Sequence, residues 1–200
     1  MKLIDKKYAV YLLDDDNFDF PTLNMMKDDL VAIGGDFHPQ RVLNAYENGI
    51  FPWYVDEYNY IHWFSPQKRM VLKPQDMKVS KSLKKSIANK GFVIKSNKNY
   101  EDVIRACKKI KRKHEASTWI SEDFIKAYTN LHELDIAFSI ECYLDDELVG
   151  GLYGLLIGDI FCGESMFAKV TDASKVAFYH LCQQAEENGI KLIDCQVYND

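Results

Sequence analysis

The sequence predicts an α+β protein, and two observations carry that prediction. Helix-like and strand-like runs alternate up to residue 134. Residues 136–167 then form three strand-like runs in succession, the first two joined by the acidic turn Asp145-Asp146-Glu147. A helical run at 173–188 and one more apolar strand at 190–197 follow. An antiparallel meander, a helical crossover and a closing strand are the plan of an α+β domain.

The earlier part of the chain divides at Pro66, where the composition changes. Residues 1–65 form one unit, with a sharp turn at Gly34-Gly35-Asp36 and a helix over 39–47. We therefore expect a small N-terminal α/β domain at 1–65 and a second domain at 66–200.

In the second domain, the patterns predict further elements before the meander. Serine caps are expected at Ser80 and Ser121, and an aspartate cap at Asp172 before the last helix. The short strands are expected at 70–72 and 92–94, and the helices at 80–91, 100–113 and 119–134.

Composition excludes several classes of protein. The chain has 200 residues, of which 47% are apolar and 13% aromatic, as in folded globular proteins. No run of apolar residues is long enough to cross a membrane, and the N-terminus lacks the pattern of a secretion signal. The five scattered cysteines are typical of a reducing cytoplasm, and the histidines show no metal-binding spacing. We expect a cytoplasmic protein without a metal.

Positive charge is concentrated in one part of the chain. The formal net charge is −5, yet residues 68–113 hold sixteen Lys and Arg against three acids. Such a segment can attract a polyanion, although a lysine-rich solvated surface would have the same composition.

Three polar residues stand out on apolar strands. Glu164 lies in a run almost free of other charges, and Asp194 and Gln196 are two apart on the predicted closing strand, so they should share one side of it. Burying such groups is costly unless something polar meets them, which indicates a reaction site. A buried aspartate satisfying a backbone turn, and a glutamate in an internal salt bridge, remain alternatives.

Several motifs in unbroken order resemble the leucyl/phenylalanyl-tRNA–protein transferase family. They extend from about residue 20 to 198 and read AIGGDF, AYENGIFPWY, WFSPQKRMVL, VSKSL, TWI, LVGGLYGLLIGDIFCGESMF, DASKVA and LIDCQV. The resemblance implies an N-terminal domain followed by an acetyltransferase-superfamily (GNAT-like) domain. It implies transfer of Leu, Phe or Met from aminoacyl-tRNA to a protein N-terminus that begins with Arg or Lys, marking that protein for degradation.

The resemblance also implies roles for individual residues. Asp194 and Gln196 match residues that orient the attacking amine, and Glu164 matches an acid that binds the cationic acceptor. The acceptor aromatics of the family correspond to Tyr46, Trp53, Trp119 and Tyr128. For the donor side chain we expect an apolar pocket formed by Leu152, Met166, Phe178, Leu181 and Ile193. Candidate tRNA contacts are Lys81, Lys84, Lys85, Lys108, Lys109, Lys111, Arg112 and Lys113.

Two features depart from the family pattern, and two other functions stay open. The family usually continues past the final strand, so the C-terminal end is expected to be incomplete, and Lys81 stands where relatives often have arginine. An acyl-CoA-dependent N-acetyltransferase is one alternative, although the junction FAKVTDASK has no glycine to hold a pyrophosphate. A non-catalytic RNA-binding protein is the other. We expect no cofactor, no membrane partner and a monomer.

Overall fold

The computed structural model describes residues 1–110 and 119–197, and it shows two β-sheets. The first has the strand order β1-β2-β3-β5-β4 and is antiparallel except between β2 and β3. Its strands are β1 (Lys2–Asp5), β2 (Val10–Leu13), β3 (Leu30–Gly34), β4 (Phe51–Val55) and β5 (Ile61–Phe64). Helix α1 (Pro39–Glu47), which the sequence predicts over the same residues, connects β3 to β4.

The second sheet has the order β6-β11-β10-β9-β8-β7 and is antiparallel except between β10 and β11. Its strands are β6 (Val71–Leu72), β7 (Val93–Ser96), β8 (Ala137–Leu144), β9 (Glu147–Ile157), β10 (Ile160–Ala168) and β11 (Leu192–Asp194). The helices are α2 (Lys81–Asn89), α3 (Tyr100–Lys109), α4 (Glu122–Glu133) and α5 (Ala173–Glu187). The predicted α+β class with a mostly antiparallel second sheet is confirmed.

Apolar residues cover both faces of the second sheet. Tyr153 of β9 packs in the core with α3 and α4, whereas its neighbour Leu152 packs in the core beneath α5. Side chains alternate along a strand, so adjacent residues serve opposite faces. The first core also contains Trp63 and Val42, so it extends into the first sheet. The domain boundary at residue 66 therefore remains a prediction.

Two glycines of β9 allow close packing that a side chain would block. A Cβ atom at Gly150 would lie 2.5 Å from the Cβ of Ala173, where α5 begins. A Cβ atom at Gly154 would lie 2.3 Å from the carbonyl oxygen of Cys162 on β10. The glycine-rich run thus brings α5 and β10 close to β9.

Several local expectations are confirmed and others need correction. Ser80 and Ser121 cap α2 and α4, accepting hydrogen bonds from the N–H groups of Leu83 and Phe124. Asp172 precedes α5 but makes no capping hydrogen bond, because its carboxylate accepts one from the Ser86 hydroxyl instead. The five strands of the first sheet were not predicted, since each is short and lacks strict alternation.

No helix within the described ranges is long and apolar enough to cross a membrane.

Candidate active site

The three polar residues singled out in the sequence converge in the structure. Gln196 Nε2 donates a hydrogen bond of 2.6 Å to Glu164 Oε1. The backbone N–H of Gln196 donates one of 2.8 Å to Asp194 Oδ1. Asp194 and Gln196 are almost fully buried, and Glu164 is half-buried. Gln196 therefore links the two carboxylates, binding Glu164 through its side-chain amide and Asp194 through its backbone N–H.

The geometry that produces this convergence differs from the predicted one. Strand β11 ends at Asp194, and Gln196 has a left-handed φ of 61°, so the two residues do not alternate along a strand. The Asp194 carboxylate holds the backbone of Gln196 and not its side-chain amide. The backbone-turn alternative for Asp194 thus describes one of its contacts.

A β-bulge positions Glu164. Gly163 pairs with Gly154 of β9 and Ser165 pairs with Tyr153, so Glu164 is one extra residue on β10. Bulges turn a side chain away from the regular pleat of a sheet. The parallel pairing of Cys162 with Asp194 then brings β11 beside the bulge.

Two buried tyrosines complete the environment of Glu164. Tyr46 of α1 donates a hydrogen bond of 2.5 Å to Glu164 Oε1, and its hydroxyl lies 2.8 Å from that of Tyr128 on α4. Burial and the nearby Glu164 charge raise the pKa of both tyrosines well above the usual value, so both remain protonated. The single hydroxyl hydrogen of Tyr46 is used in the hydrogen bond to Glu164. In the hydrogen bond between the two tyrosines, the Tyr128 hydroxyl is therefore the donor and the Tyr46 oxygen the acceptor.

The carboxyl of Glu164 is strongly perturbed. Burial, reinforced by the negative charge of Asp194, raises the pKa of Glu164 to about 7, although hydrogen bonds from Tyr46 and Gln196 and the charge of Arg69 oppose the rise. A carboxyl with such a pKa can exchange a proton near neutrality.

Sequence analysis missed one site residue, Arg69. Its Nε and Nη2 donate to Asp194 Oδ2 at 2.9 Å and 2.5 Å, and its Nη1 donates to the carbonyl of Gly49 at 2.9 Å. The guanidinium carbon also lies 5.2 Å from the centre of the Phe51 ring. In the sequence, Arg69 is one of sixteen basic residues in the segment 68–113. A buried Asp194 needs a positively charged partner, and that requirement is the sequence feature that points to an arginine.

A cavity of about 670 Å³ opens beside these groups. Tyr46, Arg69 and Asp194 line it together with other polar residues and with apolar residues such as Val71 and Ile160; Glu164 and Gln196 adjoin it only through their hydrogen bonds to Tyr46 and Asp194. A mixed cavity with a few convergent polar groups is the usual form of a small-ligand or reaction site.

The predicted acceptor aromatics lie at different distances from Glu164. Tyr46 and Tyr128 are in its hydrogen-bond network. Trp119 packs edge-on against Phe124 at 5.1 Å between ring centres, and Phe124 stacks on Tyr128 at 3.8 Å. Trp53 is 36% exposed and packs against Phe64 and Phe51, away from this network.

The predicted donor-pocket residues do not line the cavity beside Asp194. Leu152 and Ile193 of the sheet pack in one core with Leu181 of α5, the partly buried Phe178 of α5 packs against that core, and Met166 is 45% exposed. Of the five, Leu181 lines a second cavity of about 350 Å³ at the C-terminal half of α5. Their role as a donor pocket stays a prediction.

The predicted tRNA contacts occupy two helices. Three of them, here termed the α2 lysines, are exposed on α2: Lys81, Lys84 and Lys85. On α3, Lys109 is exposed, whereas Lys108 is paired with Glu122 at 2.6 Å. Because α2 contacts α5 and α3 packs on the other side of the sheet, the two sets of lysines lie on opposite sides of the second sheet. Lys111, Arg112 and Lys113 lie outside the described residues.

Within the described residues no group of three or more His, Cys, Asp or Glu side chains could hold a metal ion. The junction between β10 and α5, where a pyrophosphate cradle would be needed, is fixed internally. Lys90 donates to the carbonyl of Thr171 at 2.8 Å, and Asp172 binds Ser86.

The fold and the site together define an acyltransferase-like protein: a mostly antiparallel sheet with a carboxylate-amide-carboxylate arrangement where β10 and β11 run in parallel. The solved structure of FemX is similar in fold, with a TM-score of 0.52 at 10% identity, over 78% of this chain and 59% of that one. The chain belongs to the leucyl/phenylalanyl-tRNA protein transferase family. That family's model matches residues 71–200, and the model of its N-terminal domain matches residues 35–67.

Curated relatives agree over nearly the whole chain. A leucyl/phenylalanyl-tRNA–protein transferase of Flavobacterium johnsoniae is 46% identical over 95% of this chain and 89% of its own length. Those of Nitrosospira multiformis and Flavobacterium psychrophilum are 46% and 47% identical, over 89% and 90% of this chain and 77% and 86% of their own lengths.

Proposed function

We propose that this protein transfers Leu, Phe or Met from aminoacyl-tRNA to the N-terminal amine of acceptor proteins that begin with Arg or Lys, and so marks them for degradation. Family membership supports the reaction class. The observation that carries the proposal is the convergence of Glu164, Gln196 and Asp194, the last of which lines a cavity.

The reaction needs orientation more than strong activation. Replacing an ester by an amide is favourable, and an α-amino group with a pKa of about 7.7–8.0 is partly neutral near neutrality. Aligning the amine with the ester carbonyl supplies up to roughly 7–11 kcal/mol. We therefore assign positioning as the main task of the site.

Gln196 is suited to orient the amine. Its Nε2 is committed to Glu164 Oε1, and its Oε1 accepts no hydrogen bond from the described residues. That oxygen can accept a hydrogen bond from the attacking amine. Asp194 holds the backbone of Gln196, and Glu164 holds the Nε2 group of its side chain. The direction in which Gln196 Oε1 points is therefore fixed.

Glu164 is suited to meet the cationic acceptor. Both observed hydrogen bonds reach its Oε1, which leaves Oε2 without a donor from the described residues. An ammonium or guanidinium group at Oε2 would favour the ionised carboxylate and so lower the pKa of Glu164 on binding. The stem of Arg or Lys would pack on the predicted acceptor aromatics, of which Tyr46 and Tyr128 belong to the Glu164 network while Trp119 and Trp53 lie farther from it.

The donor would be held through its RNA and its side chain. The α2 lysines and those of α3 would contact phosphates, which makes binding salt-sensitive and largely independent of base identity. The proposed pocket for Leu, Phe or Met remains the set predicted from the sequence, of which Leu181 lines the cavity at the C-terminal half of α5: Leu152, Met166, Phe178, Leu181 and Ile193. An apolar pocket separates such side chains by only about 1–3 kcal/mol per methylene, consistent with several donors. We place the protein in the cytoplasm as a monomer without cofactor.

A transfer assay tests the proposal. Radiolabelled leucyl-tRNA is mixed with a peptide that begins with Arg, and label is expected to move to the peptide. The matched control is the same peptide with an acetylated N-terminus, which has no free amine and should gain no label. Label remaining on tRNA with the free peptide would refute the transferase assignment.

An Asp194→Ala variant and a thermal-shift measurement separate the two alternatives. A non-catalytic RNA-binding protein would be unaffected by Asp194→Ala, whereas the proposed enzyme should lose turnover and keep its tRNA affinity. An acetyl-CoA-dependent enzyme would be stabilised by acetyl-CoA in a thermal-shift measurement, and no stabilisation is expected here.

A further inference from the structure

We propose that Arg69 is a positioning residue for the transfer reaction, acting through Asp194 and the backbone of Gln196. The inference rests on the proposed function and adds a residue that no sequence motif assigned a role. Arg69 lies in the segment that joins the two sheets, after β5 and two residues before the start of β6. It connects the N-terminal half of the site to the residues at the end of β11.

The contacts of Arg69 point in three directions. Two of its N–H groups bind one oxygen of Asp194, and a third binds the carbonyl of Gly49, which follows α1. Its guanidinium faces the Phe51 ring at the start of β4. A planar fork of donors fixes both the distance and the orientation of its partner, which a lysine ammonium cannot do.

These contacts determine which oxygen of Asp194 remains for Gln196. Arg69 occupies Oδ2, so Oδ1 is the oxygen that accepts the Gln196 N–H. Gln196 has a left-handed φ of 61°, a conformation that a non-glycine residue keeps only when its surroundings hold it.

The backbone next to Arg69 supports the same segment. The N–H of Cys195 donates to the carbonyl of Met70 at 2.8 Å, and the N–H of Met70 approaches the carbonyl of Gln196 at 3.4 Å. Residues 69 and 70 thus hold residues 194–196 by one side chain and by main-chain hydrogen bonds. Removing the side chain alone should loosen Gln196 without unpairing β6 from β11.

Electrostatics gives Arg69 a second effect on the same atoms. Asp194 is 8% exposed, and a carboxylate buried to that extent needs a compensating charge. Arg69 is the cation that contacts it among the described residues. Arg69 also lines the cavity beside Asp194, so truncating it would leave a space that a small cation can enter.

The test compares Arg69→Ala and Arg69→Lys with the wild-type protein in the leucine-transfer assay. Lys191→Ala serves as the matched control, because it also removes one positive charge near β11, from an exposed pair with Asp159. For Arg69→Ala we expect kcat to fall about 100-fold, as for a misplacement of about 1 Å, with KM for leucyl-tRNA little changed. Millimolar guanidinium chloride should restore part of kcat, and sodium chloride of equal concentration should not.

Wild-type kcat in folded Arg69→Ala, a loss confined to KM, or the absence of guanidinium rescue would overturn the proposal. If Arg69→Ala fails to fold, Arg69→Lys decides: a lowered kcat at an unchanged melting temperature supports positioning, and wild-type kcat overturns it.

A measurement independent of activity separates this inference from the proposed function. Hydrogen exchange of the Gln196 amide should be faster in both Arg69 variants, while that of Lys169, bonded to Val149, stays unchanged. Unchanged Gln196 exchange overturns the inference whether or not transfer occurs. Faster exchange in a protein that transfers nothing would show that Arg69 holds the backbone of Gln196 and would reject the transferase assignment.

Discussion

Replacing Glu164 by Gln should make the protein more stable at alkaline pH while abolishing transfer. The wild-type carboxyl has its pKa raised from an ordinary 4.5 to about 7 because it is buried near Asp194. At about 1.4 kcal/mol per pKa unit, ionising it in the folded state costs about 3 kcal/mol more than in the unfolded chain. A glutamine at position 164 does not ionise, so it avoids that cost. Its side-chain oxygen can still accept hydrogen bonds from Tyr46 and Gln196.

The sign of the pH dependence follows from the raised pKa. Below pH 4.5 the carboxyl is neutral in both states, so variant and wild type should be equally stable. From about pH 4.5, where the carboxyl ionises in the unfolded chain, to about pH 7, where it ionises in the folded protein, the wild type loses about 3 kcal/mol relative to Glu164→Gln, and the difference is then constant. Other charged and titratable groups facing Glu164 are Tyr46, Arg69, Tyr100, Tyr128, Tyr153, Cys162 and Asp194. Burial raises the pKa of the tyrosines and of Cys162, so those groups stay protonated across this range.

The assay is urea unfolding of both proteins at several pH values from about 4.5 to about 8. Glu187→Gln is the control, since Glu187 is an exposed carboxylate on the last turn of α5. Its free energy of unfolding should follow that of the wild type at every pH. A Glu164→Gln difference that does not grow with pH would refute the assignment of Glu164 as a carboxyl with a raised pKa.

Three further outcomes test other parts of the structure. Asp194→Asn should lower kcat on the order of 100-fold by releasing Arg69 and loosening Gln196, with tRNA affinity unchanged in filter binding; a parallel loss of affinity would contradict this. Changing the α2 lysines together to alanine should reduce the slope of log affinity against log salt by about 2–3, since each phosphate contact contributes about 0.9, and an unchanged slope would remove α2 from the RNA surface. Gly154→Ala should cost about 1–3 kcal/mol in urea unfolding, because the added Cβ would meet the backbone of β10 at 2.3 Å. Full stability of that variant would show that β9 and β10 can separate at no cost.

Much of the fold could be predicted because its elements have strong local signals. Helix α1 and the serine caps of α2 and α4 lie where the sequence places them, since helical periodicity and capping act within a few residues. The first sheet could not be predicted in the same way. Its strands have four or five residues each, and their pairing joins segments far apart in sequence.

The candidate site was predictable in its members more than in its geometry. Glu164, Asp194 and Gln196 are conspicuous because they interrupt apolar strands. Their arrangement depends on a bulge in β10 and a left-handed residue after β11, and neither feature has a sequence signal of its own at a glutamate or a glutamine. Arg69 escaped notice for a related reason: in a segment rich in lysine and arginine, only the folded structure shows which cation is paired inside.

Arg69 hydrogen-bonds both the carbonyl of Gly49 and the carboxylate of Asp194, and this has a consequence for engineering the site. Strands β9 to β11 alone would not carry the complete site. The hydroxyl that binds Glu164 belongs to Tyr46 and the guanidinium that binds Asp194 belongs to Arg69, and both residues lie in the N-terminal half of the chain. Grafting the segments GESMF and LIDCQV onto another protein of the same topology would transfer Glu164, Asp194 and Gln196 without the tyrosine and the arginine that bind the two carboxylates. A working graft would also need the segments that carry Tyr46 and Arg69, held at the same distances from Glu164 and Asp194.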